Sequence, residues 1–262
     1  MTKLLRALLL AAVIPGAAAQ AQLFRDTARG EAVERHLPGD RTFTQWARDP
    51  AALAAAIEAA MAAAAAPSLL EMDRASGRRG PRFRAAEAHL VALTGAEDAL
   101  IVVNNAAALA LTVGLAGRRG VAVSRGELVE IGGGVRIPEI IRRAGARLVE
   151  GGATNRTRGA DFEEPLADGR AAIVLRVHPS NFRQVGFTEA PDPAELAALA
   201  HRHGALLVDD IGGGALLDTT TPGLAHEPMP AEALAAGADL VTFSGDKLVG
   251  GPQAGLIVGR AA

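Results

Sequence analysis

From Ala85 onward, short runs that are largely apolar, without strict alternation, take turns with stretches of helical spacing, and this confines the chain to few folds. The runs are Leu100 to Val103, Val121 to Ser124, Arg147 to Glu150, Ala172 to Val177, Leu206 to Asp209, Leu240 to Phe243 and Leu256 to Val258. A strand exposed on one face would alternate apolar and polar residues; a run apolar throughout needs cover on both faces. Ala106 to Leu115, Pro138 to Ala144 and Pro193 to His203 carry helical spacing between the runs. Seven buried strands with intervening helices predict an α/β fold: a mostly parallel, seven-stranded, doubly wound sheet with helices on both faces. No helix separates Phe243 from the last run, so Ala254 to Val258 is expected as an antiparallel neighbour or an edge strand.

The segment before this pattern reads differently. Lys3 and Arg6 precede an apolar stretch from Ala7 to Ile14, then Pro15-Gly16 and a small-residue end at Ala19-Gln20-Ala21. Residues 1–21 thus have the layout of a signal peptide, and equally that of an amphipathic helix. The stretch is too short to span a bilayer. Residues 22–68 form a helical N-terminal segment, Ala-rich from Pro50 to Ala66 and ended by Pro67. Between Arg74 and Arg84 lie five arginines in eleven residues, and Gly77, Gly80 and Pro81 make this an exposed, anion-seeking loop. The organisation expected is therefore 1–21, 22–68, and a large domain over 69–262.

Composition narrows the chemistry. The 262 residues contain no cysteine, which removes disulfides, thiolate metal sites and cysteine nucleophiles. A net charge of −2 argues against a wholly basic nucleic-acid coat, though a local basic patch stays open. Of 27 Lys plus Arg, only Lys3 and Lys247 are lysine. A primary amine can form an imine, and a guanidinium that stays protonated cannot.

In open α/β sheets ligands collect at the carboxyl ends of strands. Four of those ends carry polar groups. Asn104-Asn105-Ala106 opens a helix, and its backbone N–H groups could hold a phosphate, although helix capping accounts for Asn104 as well. His178-Pro-Ser-Asn181 leaves the fourth run, where a lone histidine is commonly structural. Asp209-Asp210 ends the fifth, ahead of Ile211 and three glycines. Ser244-Gly-Asp-Lys247 follows the sixth within a Gly-rich loop. Pyridoxal 5'-phosphate fits these features jointly: Lys247 for the imine, Asp210 or Asp209 for the pyridinium nitrogen, Ser244 and Asn104 to Ala106 for the phosphate. No G-x-G-x-x-G or P-loop follows the first strand, and matching ligands for a metal site are few.

Two long motifs, Ser124-Arg-Gly-Glu-Leu-Val-Glu-Ile-Gly-Gly-Gly-Val-Arg-Ile-Pro138 and Phe243-Ser-Gly-Asp-Lys-Leu-Val-Gly-Gly-Pro-Gln-Ala-Gly255, resemble bacterial L-seryl-tRNA(Sec) selenium transferase, or selenocysteine synthase. Thr154-Asn-Arg-Thr157, Asn104 to Ala108 and Gly77-Arg-Arg-Gly80 extend the likeness, which runs from about Leu69 to Gly259. The resemblance implies a fold-type-I pyridoxal-phosphate enzyme of selenocysteine biosynthesis. It would convert seryl-tRNA(Sec) to selenocysteinyl-tRNA(Sec) with selenophosphate, through an aminoacrylyl intermediate. It implies Lys247 as the catalytic amine, with Asn104, Asn105, Ala106, His178, Asp210 and Ser244 around the cofactor. Arg82, Arg79 and Arg136 would hold the substrate anion, and no metal is expected. A cytoplasmic homo-oligomer built from dimers, with no membrane attachment, is implied too.

Some positions depart from the family pattern. Val103 stands where a further asparagine is usual, and Asp210-Ile-Gly-Gly-Gly214 replaces a serine-containing D-L-G-S-G. No Leu-His-Thr-Asn-Leu-Gly-type segment is recognisable between Leu37 and Pro67, and the family's C-terminal domain is not found before Ala262. A small-molecule β-eliminating lyase and a non-catalytic truncated paralogue are the alternative expectations.

Overall fold

A computed structural model describes residues 58–59, 61–65, 71–72, 76–80, 82–131, 134–221 and 223–261. The signal-like stretch 1–21 lies outside them, as does most of the expected segment 22–68; within the latter, 58–59 and 61–65 are helical. The chain divides into two compact units, Met1–Ala86 with Asp218–His226, and Glu87–Leu217 with Glu227–Ala262. Every strand of the main sheet belongs to the second unit. Among the described residues no helix is long and apolar enough to cross a membrane.

In chain order the elements are α1 (Arg84–Thr94), β1 (Asp98–Val102), α2 (Asn105–Gly114), β2 (Gly120–Ser124), a 3₁₀ turn (Arg125–Glu127), β3 (Glu130–Ile131), β4 (Val135–Arg136), α3 (Ile137–Arg143), β5 (Arg147–Gly151), α4 (Ala160–Ala167), β6 (Ala171–Val177), α5 (Pro193–Arg202), β7 (Leu206–Gly212), α6 (Pro230–Ala235), β8 (Leu240–Ser244) and β9 (Gly255–Gly259). Seven strands form one sheet in the order β1-β9-β8-β7-β6-β2-β5, and β3 and β4 pair separately. The pairs from β8 through β5 are parallel, whereas β9 runs antiparallel to both β8 and β1. The expected antiparallel last strand is thus present, but not at an edge. It lies between β8 and β1, because both offer it a free row of backbone groups and only β1 ends at the border.

Each face of the sheet carries its own core. On one side α2 and α3 place Leu109, Val113, Ile137 and Ile141 against Val121, Val123, Ile173, Leu175 and Val208. On the other α1, α4, α5 and α6 bring Leu90, Phe162, Leu196 and Ala233 to Ala122, Val174, Leu207, Ile211 and Val241. The period of two along a strand explains the split: 121, 123, 173, 175 and 208 face one way, and 122, 174, 207 and 211 the other. Asp210 therefore shares the α2 face with Val208. Asp209 shares the opposite face with Leu207.

Candidate active site

Asp210 is 1 % exposed, at the carboxyl end of β7. Its Oδ1 accepts two neutral donors, the Asn105 Nδ2 amide at 2.8 Å and the Thr242 hydroxyl at 3.0 Å. Thr242 stands opposite Asp210 in the β7–β8 register, and Asn105 is the first residue of α2. Asp210 Oδ2 and Asn105 Oδ1 are buried without a hydrogen-bond partner. Burial pushes the carboxyl above its ordinary range, opposed by the two hydrogen bonds and by the charge of Lys247.

Lys247 reaches the same strand end through the loop after β8. Gly212 has a left-handed backbone (φ +64°), and a Cβ there would lie 3.7 Å from Lys247 Nζ and 3.8 Å from Ser180 Oγ. The missing side chain thus leaves room beside the amine. The Leu248 N–H donates to the Gly213 carbonyl at 3.1 Å, which ties the lysine loop to the chain leaving β7. Ser244 ends β8 with its side chain buried.

At the start of α2, Asn104 is the N-cap, its Oδ1 accepting the Ala107 N–H at 2.8 Å. The N–H groups of Asn105 and Ala106 precede the first intrahelical bond and point out of the helix end. Neither asparagine side chain is turned to a phosphate here, since one caps the helix and the other holds Asp210. The backbone is what the helix start can offer an anion.

His178 follows β6; its N–H donates to the Asp210 carbonyl at 2.9 Å, and its Nε2 lies 3.5 Å from Glu227 Oε2. On the other sheet face, Arg176 donates to Asp209 Oδ2 at 2.8 Å. Asp209 is raised by burial, against the nearby charges of Arg176 and His178. Glu127, in the turn after β2, accepts the Val177 backbone N–H; burial pushes its carboxyl from the usual 4.5 up to about 7, with Arg176 opposing. Glu127, Arg176, Thr242 and Ser180 were not among the expected site residues. Arg176 and Thr242 were findable as polar residues inside otherwise apolar runs; Glu127 and Ser180 carry no such signal.

The three anion-seeking arginines are all paired. Arg79 meets Glu71 at 2.9 Å, and Arg82 binds the same carboxylate, in the first unit. Their loop is closed by the Met72–Arg79 bridge and by the Gly80 N–H on the Glu71 carbonyl at 2.7 Å. In the second unit, Arg136 lies 2.6 Å from Glu130. All three guanidiniums are more than half exposed, so these ion pairs are weak and exchangeable.

The family model described as L-seryl-tRNA selenium transferase matches residues 42–262. The chain belongs to the L-seryl-tRNA selenium transferase family. The L-seryl-tRNA(Sec) selenium transferase of Edwardsiella ictaluri is 54 % identical over 206 residues, covering 78 % of this chain and 44 % of the relative. The Rhizobium meliloti protein of the same description is 52 % identical over 207 residues, again 78 % and 44 %. This selenium transferase family member therefore spans less than half the length of the curated relatives it matches. Among solved structures, D-glucosaminate-6-phosphate ammonia-lyase superposes with a TM-score of 0.60 at 23 % identity, over 78 % of this chain and 52 % of that one. The serine palmitoyltransferase of S. paucimobilis, solved with a bound PLP–myriocin adduct, gives 0.53 at 18 %, over 81 % and 51 %. These likenesses show the fold of fold-type-I enzymes, and the seven-stranded, mostly parallel sheet agrees with it.

Proposed function

We propose that this chain forms the cofactor-binding large domain, expected over 69–262, of a pyridoxal-phosphate-dependent selenium transferase. Its substrates would be seryl-tRNA(Sec) and selenophosphate. The observation that carries the reading is the meeting of Asp210, Asn105 and the Lys247 loop at one end of β7. Sequence-distant residues of three elements converge there inside a family member.

The residues present fit the cofactor. Asp210 Oδ2 is a buried acceptor that lacks a donor, as a ring nitrogen would require. The N–H groups opening α2, with Asn104, Asn105, Ala106 and Ser244 around them, suit a phosphate. Gly212 leaves space next to the only lysine amine of the described residues. When bound, pyridoxal phosphate supplies an aldehyde for an amine and a ring that takes up the electron pair left by a departing α-proton.

The chain's own groups then have definite tasks. Lys247 Nζ would hold the cofactor through its amine and would be the group that moves a proton at the substrate carbon. Asp210 sets the charge at the ring nitrogen. His178 lies against the Asp210 backbone and positions the exit of β6. Arg79 and Arg82 in the first unit, and Arg136 in the second, would each exchange a glutamate for an anionic substrate group, which a planar guanidinium grips in bidentate fashion. A tRNA-borne substrate assigns the protein to the cytoplasm, and the active form is a homo-oligomer of dimers.

Absorbance of the purified chain titrated with pyridoxal phosphate tests the reading. A visible band that Lys247→Ala removes is expected. A folded protein showing no band would end the cofactor assignment. With the band present, turnover of free serine but not of seryl-tRNA would replace the transferase by a small-molecule lyase.

A further inference from the structure

The two buried oxygens without a partner belong to side chains that already touch. Asn105 Nδ2 donates to Asp210 Oδ1 at 2.8 Å, and the unpartnered atoms are the other oxygen of each group, Asn105 Oδ1 and Asp210 Oδ2. A carboxylate and an amide joined in this way present one matched bond and two acceptors that both need a donor. Leaving a buried polar atom unsatisfied is costly. A single proton on Asp210 Oδ2 would serve both, because a carboxylic acid and an amide can join through two antiparallel hydrogen bonds.

We propose that Asp210 is kept as the neutral acid, its Oδ2 proton donated to Asn105 Oδ1, so that Asn105 is a positioning residue storing a proton for the ring nitrogen. This rests on the pyridoxal-phosphate reading for the proton's destination, though not for its presence on Asp210. The donors and the charge facing the carboxyl favour its ionised form, and burial outweighs them. From α2 comes the Asn105 amide and from β8 the Thr242 hydroxyl, both neutral. Lys247 acts on it only as a nearby charge, and Asp209, which disfavours ionisation of Asp210, lies on the opposite sheet face. Burial raises the carboxyl in the same direction.

On cofactor binding the balance is simple. The proton leaves Asp210 Oδ2 and bonds to the ring nitrogen, the O–H electron pair stays on the carboxylate, and the Asn105 Nδ2 bond to Oδ1 persists. The hydrogen bond from Oδ2 to Asn105 Oδ1 is given up in the transfer, and the resulting carboxylate faces the cation it has made.

The test is the carboxyl carbon signal of Asp210 in full-length chain labelled with carboxyl-¹³C aspartate, identified by its loss in Asp210→Asn. The expected result, without cofactor, is a signal at the protonated position through pH 7; a carboxylate signal at that pH overturns the proposal. An asparagine at 210 supplies N–H where the acid supplied O–H, so that variant is expected to melt within about 2 °C of the parent. Should it fail to fold, displacement of the same signal in Asn105→Leu identifies it. With pyridoxal phosphate added and the visible band present, the signal moves to the carboxylate position. An unmoved acid signal beside a full band overturns the proton transfer. Absence of the band would count against the cofactor reading alone, since the cofactor-free signal still decides whether Asp210 holds the proton.

Discussion

The Arg176 guanidinium meets the Asp209 carboxylate at 2.8 Å, side by side in the β6–β7 register. One cation there faces two acids, because Glu127 approaches Arg176 from the turn after β2 while His178 acts on Asp209 from the end of β6. A shielded group of this kind cannot ionise every carboxyl at neutral pH without leaving charge uncompensated. Burial keeps a proton on Glu127 up to about pH 7.

Stability should accordingly fall as pH rises. Glu127 binds its proton with a folded-state pKa of about 7 against the usual 4.5, so the folded chain holds more protons than the unfolded one between those values. Its contribution is fully present below pH 4.5 and is lost as pH climbs through about 7. Glu127→Gln is expected to flatten this loss, worth about 1–2 kcal/mol once solvent at the partly exposed side chain is allowed for. Urea unfolding at several pH values measures it; an unchanged slope would contradict the assignment.

Removing the Thr242 hydroxyl should weaken the grip on Asp210. Thr242→Val keeps the shape and deletes one of two donors to Oδ1, at a cost of about 1–3 kcal/mol. Thermal melting reads the stability. Affinity for pyridoxal phosphate is expected to drop with it, and unaltered affinity would separate Thr242 from the site.

Gly255 is where β9 passes the start of α2. A Cβ there would collide with the Asn104 carbonyl and crowd the Asn105 N–H. Gly255→Ala should push back the first turn of α2, costing about 1–3 kcal/mol and the anion affinity of that turn. Phosphate protection against heat denaturation, compared between the two proteins, checks the second effect.

Lys247→Arg preserves the charge and removes the imine-forming amine. The visible band should vanish, with pyridoxal-phosphate affinity down about tenfold or more, or about 1.4 kcal/mol. Arginine showing the parent's band would assign the imine elsewhere.

The elements that read well from sequence are those whose burial is local to the chain. All seven expected runs overlap strands of the main sheet, from Leu100 to Val258, because apolar stretches such as Val121–Val123 have no other stable environment. Helices α1, α4 and α6 were not expected. α4 contains Pro165, which obscures helical spacing, and α6 is only six residues long. The β3–β4 pair is two residues per strand, below what any periodicity can report.

The site divides along the same line. Sequence alone determined the sheet, the strand ends that carry Asn104, His178, Asp210 and Ser244, and the singular Lys247, since residue type and spacing along the chain suffice for these. Only the tertiary structure decided that β9 sits inside the sheet, that Arg79, Arg82 and Arg136 are held by glutamates, and that Asn105 turns to Asp210 across 105 positions of sequence. Such contacts depend on which strand edges and helix ends packing brings together. No local pattern of residues encodes the partner of a hydrogen bond that distant in the chain.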